Sequence, residues 1–435
     1  MAWGALPTYP RAILHIDGDS FFASCEVAKN PSLRGKVVIT GKERGIVSAA
    51  TYEAKKFGIT RGMSVSEVMK LCPEAIFLPS DYETYSIFSR RMYTIVRRYT
   101  LDVEEYSIDE CFADITGLRS RLHMSYPKIA EAIKHDLESE LGITFSLGLS
   151  ATKTLAKIGS KLNKPSGLTL MPLRDIVPFL TKTPIGHVWG IGPNTSAYLN
   201  KHSIYTALDF TKKDEDWVKK NVAKPYYEIW QELRGESVNK LDTEGRETYQ
   251  SISKTKTFTP NSSDPAYLFT QLSKNVENAC IKARRWGLST NHIFFFLKTA
   301  DFRFHGYEIK LHYRTDMPQE ILEEVTKAFP TVFKKGTEYR ATGVSFFNLE
   351  EDAGTQLDLF RSAQKSEGMK RVFQNVDELS ARYGKHIVYL GSSFLAMNTE
   401  AHTGPRAIKP MRAEVMFKGE TSRRRLNIPM LGEVM

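Results

Sequence analysis

The chain has 435 residues, more than one hydrophobic core normally organises, so we expect about two to four domains. Hydrophobic residues make up 41% of it and charged residues 25%, as in ordinary soluble globular proteins, and no apolar run approaches the roughly 18–20 residues that span a bilayer. The formal net charge of +10 permits a polyanionic partner without requiring one.

The N-terminus and the cysteines bear on the cellular compartment. Residues 1–17 lack a basic start followed by an apolar segment and a small-residue cleavage site, so no secretory signal is predicted. The cysteines Cys25, Cys72, Cys111 and Cys280 are far apart and form no CxxC pair. Reduced, mostly buried thiols and a cytoplasmic location are therefore expected.

Short strands and helices alternate through the first part of the chain. Residues 11–17 form an apolar run that ends in an acid, which predicts a buried strand whose last residue emerges at the sheet edge. A helix follows and is stopped by Pro31, and Ser150 is predicted to cap a later helix that begins at Ala151 and ends near Asn163. The other predicted strands are 36–40, 45–50, a hairpin within 103–114 and 143–150, and the other predicted helices are 51–57, 64–71, 81–99 and 127–140.

The second part of the chain has a different pattern. Short helices are predicted over 172–237, and the polar stretch 238–248 is predicted to be a linker. Six elements then follow in the order β-α-β-β-α-β, a complete small-domain topology, with strands at 249–259, 291–302, 306–315 and 338–348 and helices at 265–286 and 318–329. After an acidic loop we predict a helix over 367–383, a strand over 386–391 and a tail.

Two acids, Asp109 and Glu110, stand side by side in the predicted hairpin. Neighbouring residues of a regular strand point to opposite faces, so both acids can serve one site only where a turn or bulge breaks the alternation. Asp17 also ends an apolar strand, with Asp19 two residues on, and acids gathered from separate strands repel one another unless cations lie between them. Oxygen ligands select hard ions such as Mg²⁺, and a pair of such ions suits phosphoryl or nucleotidyl transfer. Two solvated turns with unrelated acids are the alternative.

Five motifs occur in order along the chain: DGDSFFASCE (17–26), SAATYEAKKFGITRGM (48–63), YSIDECFADITG (106–117), TKTLAKIGSKLNKPSG (152–167) and WGIG (189–192). Together they resemble the Y-family (translesion) DNA polymerases over nearly the whole chain. Several segments, ELRGE (232–236) and the tail after QLDLF among them, are most similar to the UmuC type, the catalytic subunit of polymerase V. The segment SAATYEAKKFG is equally similar to the DinB (polymerase IV) type, so the subtype stays open.

The resemblance implies a multidomain α/β (α+β) fold shaped as a right-hand polymerase. The implied domains are the palm (1–20 and 81–171), the fingers (21–80), a helical thumb with a helix-hairpin-helix (172–238), a linker (239–248), the β-α-β-β-α-β little finger (249–350) and a C-terminal tail with a clamp-binding peptide (351–435).

The resemblance also implies a catalytic centre with two Mg²⁺ ions. The family's three carboxylates match Asp17, Asp109 and Glu110, of which the first two bridge the ions and the third holds the ion that activates the primer 3′-hydroxyl. The carbonyl of Gly18 would complete the nucleotide-bound ion. Asp19 matches a position that is not usually a direct ligand.

The nucleotide-binding residues come from the same resemblance. By themselves, Phe21 and Phe22 fit a hydrophobic core, but in the family the second ring packs against C2′ of the incoming sugar, which makes Phe22 a steric gate against ribonucleotides. Tyr52 and Lys55 share one helix face, which is either merely solvated or, as in the family, holds the triphosphate. Lysine at 55 departs from the family's arginine and offers a point charge where arginine makes a planar fork. Lys164 matches the family's lysine on the triphosphate.

The helix that begins near Ala151 carries lysines at a four-residue spacing, namely Lys153, Lys157 and Lys161. Its predicted apolar stripe is Leu155, Ile158 and Leu162. The lysines form either a solvated basic face or further triphosphate ligands, and Lys164 is favoured over all three as the ligand.

Two segments are predicted to bind DNA. Gly190 and Gly192 lie in a turn similar to a helix-hairpin-helix turn, in which glycines let backbone N–H groups approach a phosphate. Lys254 and Lys256, on the first strand of the little finger, suit the backbone of a duplex regardless of its sequence. A small edge-strand face without DNA is the alternative for these two lysines.

The segment QLDLF, from Gln356 to Phe360, closely resembles the peptide by which bacterial polymerases dock in the sliding clamp. Leu357, Leu359 and Phe360 would be apolar anchors, and Gln356 would form hydrogen bonds. Buried loop packing is the alternative.

The sequence therefore predicts a low-fidelity DNA-directed DNA polymerase that copies damaged templates, as in an SOS-type response. Its predicted partners are primer-template DNA, deoxynucleoside triphosphates, the sliding clamp and accessory subunits, with no membrane. One alternative is a catalytically inactive scaffold that binds DNA and the clamp, against which the intact acids argue. A metal-dependent nuclease would explain the acids but not Phe22 together with Tyr52, Lys55 and Lys164.

Overall fold

The computed structural model describes residues 8–244, 248–351, 363–383 and 386–398, with side chains in the third range from residue 368 onwards. The described residues form two compact units, an N-terminal unit within Met1–Gly245 and a C-terminal unit within Arg246–Ala407. Among these residues, no helix has the length and apolar character required to cross a membrane. The division into units falls inside the segment 239–248, while the boundaries of palm, fingers and thumb stay predictions.

The N-terminal unit contains eight described strands and twelve described α-helices. The strands are β1 (Ile13–Gly18), β2 (Val38–Thr40), β3 (Ala49–Ala50), β4 (Ile76–Leu78), β5 (Val103–Ser107), β6 (Glu110–Asp114), β7 (Phe145–Ser150) and β8 (Leu168–Leu170). The helices are α1 (Phe21–Lys29), α2 (Tyr52–Lys56), α3 (Val65–Leu71), α4 (Tyr82–Arg97), α5 (Leu118–Leu122), α6 (Tyr126–Leu141), α7 (Lys153–Leu162), α8 (Val177–Lys182), α9 (Pro193–Lys201), α10 (Ala207–Thr211), α11 (Glu215–Asn221) and α12 (Lys224–Leu233).

A five-stranded sheet in the order β5-β6-β1-β7-β8 organises the N-terminal unit. β1 is its central strand, antiparallel to both β6 and β7, and all six of its residues are buried. The apolar sides of α4 and α6 pack on one face of this sheet, with Phe88 and Ile133 fully buried there. Because β1 ends where β6 begins, the C-terminal end of β1 and the hairpin β5–β6 meet at one edge.

Helix α7 lies directly against the other face of the sheet because Gly148, on β7, has no side chain. A Cβ atom at this position would lie 2.0 Å from the carbonyl oxygen of Ala156 and 2.4 Å from the nitrogen of Ser160. Both of these atoms belong to the backbone of α7, which a side chain could not push aside. Gly148 therefore sets how closely α7 approaches β1 and β7.

We expect Gly148→Ala to destabilise the N-terminal unit by about 1–3 kcal/mol or more, since overpacking against backbone atoms forces the helix to shift. Calorimetry should show the unfolding midpoint of this unit lowered by roughly 5 °C. Gly391→Ala is the control, because a Cβ at Gly391 meets no atom within 4 Å. Equal midpoints for both variants would contradict the role given to Gly148.

The C-terminal unit contains β9 (Ile252–Ser262), α13 (Pro265–Arg285), β10 (Leu288–Thr299), β11 (Phe304–Thr315), α14 (Pro318–Val332), β12 (Tyr339–Phe347), β13 (Glu350–Glu351), α15 (Ala363–Tyr383) and α16 (Phe394–Asn398). Its main sheet has the order β11-β10-β12-β9, with α13 and α14 packed on one face. The predicted β-α-β-β-α-β order is confirmed. Helix α15 is attached to α13 by an ion pair. The guanidinium group of Arg284, on α13, binds the carboxylate of Asp377, on α15, at 2.7 and 2.9 Å.

Three local predictions are wrong. Ser150 does not cap α7, because it is still paired in β7 and its hydroxyl donates to the carbonyl of Met171; Thr152 caps the helix instead. The strand predicted over 386–391 is absent from the described residues, and the backbone N–H of Leu390 donates to Glu277 of α13 at 3.2 Å. The strand predicted over 45–50 is limited to Ala49–Ala50, because the preceding residues bridge to the segment before α3.

Candidate active site

The two neighbouring acids lie at the tip of the β5–β6 hairpin. Ser107 and Glu110 face each other across the strands, so Ile108 and Asp109 form a two-residue turn. The hydroxyl of Ser107 donates to Oδ1 of Asp109 at 2.7 Å. As predicted, a turn interrupts the regular strand at this point. The side chains of Asp109 and Glu110 therefore need not point to opposite faces of the sheet.

Asp17 joins these acids because of the register between β1 and β6. Asp17 and Glu110 are directly paired residues, and the backbone N–H of Gly18 donates to the carbonyl oxygen of Asp109 at 2.8 Å. Gly18 is constrained here, since a Cβ would lie 2.7 Å from the ring of Phe21. The predicted acid triad therefore comes from one sheet edge, and we call Asp17, Asp109 and Glu110 the acid cluster.

Two lysines neutralise part of the acid cluster. The ammonium group of Lys164, just beyond α7, contacts Asp17, and that of Lys157, on α7, contacts Glu110. Burial, together with the negative charges of Glu110 and Asp109, raises the pKa of Asp17 to about 7, although the charge of Lys164 acts to lower it. Burial also acts to raise the pKa of Glu110, but it is outweighed by His15, whose Nε2 lies 3.9 Å away, and by the contacting ammonium group of Lys157. Together they hold this pKa well below its usual range.

The donor atoms of the acid cluster suit a hard divalent cation. They are carboxylate oxygens, with the backbone carbonyl of Gly18 next in sequence, and oxygen-only sets favour Mg²⁺, Mn²⁺ or Ca²⁺ over softer metals. The side chains as described do not converge on one point: across the described ranges, no three His, Cys, Asp or Glu side chains form a ready metal-binding group. In the present arrangement the lysine ammonium groups provide the positive charge at two of the three carboxylates.

Asp19 is a site residue whose role sequence reasoning missed. Its side chain is fully buried and accepts hydrogen bonds from the hydroxyl of Ser146 at 2.9 and 3.0 Å and from the backbone N–H of Ser166 at 2.7 Å. The hydroxyl of Tyr52 lies 3.3 Å from the same carboxylate. Asp19 therefore connects β7, the loop after α7 and helix α2 behind the acid cluster. The spacing of two residues from Asp17 was the available signal.

The two phenylalanines that begin α1 have different surroundings. Phe21 is buried in the core, so its side chain offers no surface to a ligand. Phe22 is half-buried, and its ring stacks on Tyr85 with centroids 4.5 Å apart and planes at 12°. Tyr82 meets the same ring edge-on at 5.5 Å, and the hydroxyl of Tyr85 is held by Glu26 at 2.7 Å. The orientation of the Phe22 ring is therefore determined by aromatic neighbours on α4.

Tyr52 and Lys55 share one face of α2, as predicted. The ammonium nitrogen of Lys55 lies 3.9 Å from the centre of the Tyr52 ring, a cation–π contact. Burial and the charge of Lys164 lower the pKa of Lys55. Lys55, Lys164 and Tyr52 thus border the acid cluster with two positive charges and one hydroxyl, a set that suits a polyphosphate.

Comparison with known proteins identifies the family of the chain. Two family models match the chain, the impB/mucB/samB family over residues 16–161 and its C-terminal domain over residues 249–359. The chain is 34% identical to DNA polymerase IV of Lactococcus lactis subsp. cremoris, over 74% of this chain and 89% of the relative. It is 31% identical to DNA polymerase IV of Methanoculleus marisnigri, over 79% of this chain and 96% of that one.

The fold agrees as well. A solved Y-family DNA polymerase chimera of Dbh and Dpo4 superposes with a TM-score of 0.67 at 24% identity, over 78% of this chain and 99% of the chimera. The chain belongs to the Y family of DNA polymerases, of the DinB/UmuC type. Y-family DNA polymerases are generally metal-dependent, in keeping with the oxygen donors of the acid cluster.

The lysines spaced four residues apart on α7 do not form a solvated face in this Y-family chain. Lys153 and Lys157 are buried, and the ammonium nitrogen of Lys153 lies 2.5 Å from Glu104. That of Lys157 lies 4.4 Å from the centre of the Tyr106 ring. Lys161 is exposed, as is Leu162 of the predicted apolar stripe. The solvated alternative is therefore wrong for the first two lysines, which bind acids of the β5–β6 hairpin.

The predicted DNA-binding residues lie on both units of this Y-family chain. Gly190 adopts a φ of +89°, and Gly192 precedes the first residue of α9, where a Cβ would meet no atom within 4 Å. Lys254 pairs across strands with buried Val344, so it lies on the helix-covered face of β9. Burial lowers the pKa of Lys256, two residues on. The predicted clamp peptide, 356–360, lies outside the described residues.

Proposed function

We propose that the chain is a DNA-directed DNA polymerase of low fidelity that extends primers across damaged template positions, as in an SOS-type response. The supporting observation is the meeting of Asp17, Asp109 and Glu110 at one sheet edge in a member of the Y family. No observation favours the inactive scaffold, which would have no use for three carboxylates gathered at one sheet edge.

The proposed catalytic centre takes two Mg²⁺ ions on the acid cluster. Asp17 and Asp109 would bridge both ions, Glu110 would hold the ion near the primer, and the carbonyl of Gly18 would complete the other. When bound, the ions supply charge neutralisation and activation of the primer 3′-hydroxyl. The hydrogen bond from Ser107 to Asp109 restricts the rotation of that side chain at the hairpin tip.

The proposed nucleotide site lies between α1, α2 and the loop after α7. Lys164 and Lys55 would hold the triphosphate as point charges, with the hydroxyl of Tyr52 directed by Asp19. Phe22 would contact the sugar and exclude a 2′-hydroxyl. The contribution of Phe21 would be limited to its backbone at the start of α1, since its ring is buried in the core.

One primer-extension assay tests the proposed reaction. The purified chain, a primed template, deoxynucleoside triphosphates and Mg²⁺ should give extension products, and omission of the metal with a chelator present should abolish them. Templates with one defined lesion should also be extended past the lesion. Degradation of the template without extension would indicate a nuclease, and no change in either strand would indicate a scaffold.

We further propose that the duplex contacts the turn at Gly190 and Gly192 and the edge strand that carries Lys254 and Lys256. Gly192 is exposed immediately before α9, and a Cβ there would meet no atom within 4 Å, so a phosphate can approach the start of this helix. From the edge of the sheet, the side chains of the two lysines of β9 would reach the phosphate backbone of the DNA. Regulatory accessory subunits are a further proposed class of partner.

The clamp-binding proposal has a test of its own. Alanine at Gln356, Leu359 and Phe360 should remove the anchors of the proposed peptide and abolish stimulation of synthesis by a bacterial sliding clamp. Synthesis without the clamp should be unchanged, because tethering contributes only effective concentration at the primer end. Alanine at Asp358 alone is the control. Undiminished stimulation in the triple variant would refute the assignment.

A further inference from the structure

Lys157 carries its charge at a place with little access to solvent. Its side chain is 6% exposed, against 26% for Lys164, the other lysine that contacts the acid cluster. Helix α7 brings it there, because Gly148 lets the backbone of this helix approach the sheet. A charge is costly to bury unless it is paired, so the groups around Lys157 indicate its task.

A carboxylate and an imidazole lie next to the ammonium group of Lys157. The group contacts Glu110 of the acid cluster, and its nitrogen lies 3.5 Å from Nε2 of His15. His15 is fully buried, and its Nδ1 lies 2.7 Å from the hydroxyl oxygen of Ser160 on α7, which fixes the imidazole ring. Neighbours from β1, β6 and its own helix therefore hold Lys157 at Glu110.

Three aromatic rings also lie around this ammonium group. Its nitrogen is 4.4 Å from the ring centre of Tyr106, 5.6 Å from that of Trp189 and 5.9 Å from that of Phe112. The rings support one another, since Nε1 of Trp189 donates to the Tyr106 hydroxyl at 3.0 Å and the centroids of Phe112 and Trp189 are 5.6 Å apart. We call Tyr106, Phe112 and Trp189 the aromatic cage.

The aromatic cage offers the ammonium group a second favourable environment. The faces of aromatic rings attract a cation within about 6 Å, and the attraction is larger where water is excluded. An ammonium group that separates from Glu110 can therefore remain beside the rings, and it need not return to water. A lysine surrounded by carboxylates alone would have no such alternative.

We propose that Lys157 is the internal counter-ion of Glu110 in the metal-free chain and yields this carboxylate to a divalent cation by withdrawing into the aromatic cage. The inference rests on the proposed function, because it requires Glu110 to be a metal ligand. Lys157 is thus a positioning residue, which holds Glu110 in place and limits the repulsion within the acid cluster. Separation of this pair opposes metal binding, so the chain binds the cation less tightly than its carboxylates alone would.

Mn²⁺ binding to the full chain, without DNA or nucleotide, provides the first test, with free Mn²⁺ measured by electron paramagnetic resonance. Lys157→Met keeps the apolar stem of the side chain and removes the ammonium group. The variant should bind Mn²⁺ about ten-fold more tightly or more, since the cation no longer displaces a buried positive charge.

Lys161→Met is the matched control for this measurement. Lys161 lies one turn later on α7 and is exposed, so its replacement removes the same charge from the solvent side of the helix. Solvent screens such a charge, and the Mn²⁺ affinity should change by less than about two-fold. Equal increases in affinity for both variants would show a general effect of charge and overturn the proposal.

Thermal unfolding separates the counter-ion role from a packing role. With a chelator present, Lys157→Met should lower the unfolding midpoint of the N-terminal unit, because Glu110 is left without its partner charge. Mn²⁺ should recover most of this loss, whereas the parent chain should gain little from the same Mn²⁺ concentration. A loss that Mn²⁺ does not recover would assign Lys157 to packing and overturn the proposal.

Tyr106→Leu tests the aromatic cage in a chain that keeps the ion pair. Tyr106 is 41% exposed, so its replacement should not open the core. Mn²⁺ binding should weaken about three-fold, because the nearest ring no longer receives the displaced ammonium group. In the Lys157→Met background the same replacement should have no effect, since it acts through the lysine. Effects of equal size in both backgrounds would overturn the role of the cage.

Asp109→Ala distinguishes failure of this inference from failure of the proposed metal centre. Mn²⁺ binding that Asp109→Ala abolishes, together with equal affinities for Lys157→Met and Lys161→Met, would retain the metal centre and overturn the role of Lys157. Mn²⁺ binding that does not depend on Asp109 would refute the proposed metal centre and the inference with it.

Discussion

Asp109→Ala should reduce primer extension by about 10³-fold or more, while affinity for primed DNA and thermal stability remain at the level of the parent chain. Removal of one preorganised charge-stabilising group already costs about 10²–10³ in rate, and Asp109 is proposed to hold both ions. The carboxylate of Asp109 lies in the hairpin turn, and its described side-chain partner is the neutral hydroxyl of Ser107. Removal of this carboxylate therefore leaves no buried charge without its partner. Single-turnover extension measures the change.

Asp102→Ala is the matched control for this variant. Asp102 is an exposed carboxylate immediately before β5, in the segment that leads into the same hairpin. Its removal should leave extension within about two-fold of the parent chain, because exposed charges away from special features contribute little. Extension at the parent rate by the Asp109→Ala protein would refute the catalytic role of the acid cluster.

Phe22→Ala should raise the incorporation of ribonucleotides relative to deoxyribonucleotides by about 10- to 100-fold, the range expected from relief of 1–3 kcal/mol of steric overlap. In the proposed role, the ring would exclude a 2′-hydroxyl because its neighbours hold it in place: Tyr85 stacks on one side of it and Tyr82 meets its edge. The ratio of kcat/KM for the two nucleotide classes is the measurement, since a general loss of activity cancels in it.

Phe57→Ala is a suitable control for sugar selection. Its ring, at the end of α2, is 46% exposed, and its removal should leave the ratio unchanged. A second variant, Tyr85→Leu, removes the stacking partner and should release the Phe22 ring, giving a smaller increase in ribonucleotide use. An unchanged ratio for Phe22→Ala would refute the steric role of that residue.

The predicted topology of the C-terminal unit was correct because its elements are long and strongly periodic. Helix α13 buries Leu268, Leu272 and Val276 on one stripe, as the sequence pattern indicates. The strand predicted at 386–391 failed because the segment forms polar contacts with a helix instead of pairing with a strand, and its Ile387 and Val388 are exposed. There, His386 and Leu390 contact α13 through Asn278 and Glu277.

The side of β9 on which Lys254 and Lys256 lie could not be determined from the sequence. Alternation indicates which residues share a side of the strand, but it does not indicate which side the helices cover. Lys254 and Lys256 share the side of Ile252, and that side is the one that packs on the core. Phe294 and Phe296 of β10 point to the opposite side, beside glycines that only the strand register brings next to them.

By itself, the sequence determined the family, the presence of a hairpin turn at the two adjacent acids and the order of the elements, because these depend on local spacing. Only the tertiary structure decided that Asp17 pairs with Glu110, that Lys157 and Lys164 compensate these acids and that Asp19 anchors three segments. Each of these contacts joins residues far apart in the chain. Their geometry follows from strand register and from the close approach of α7, which no local pattern specifies.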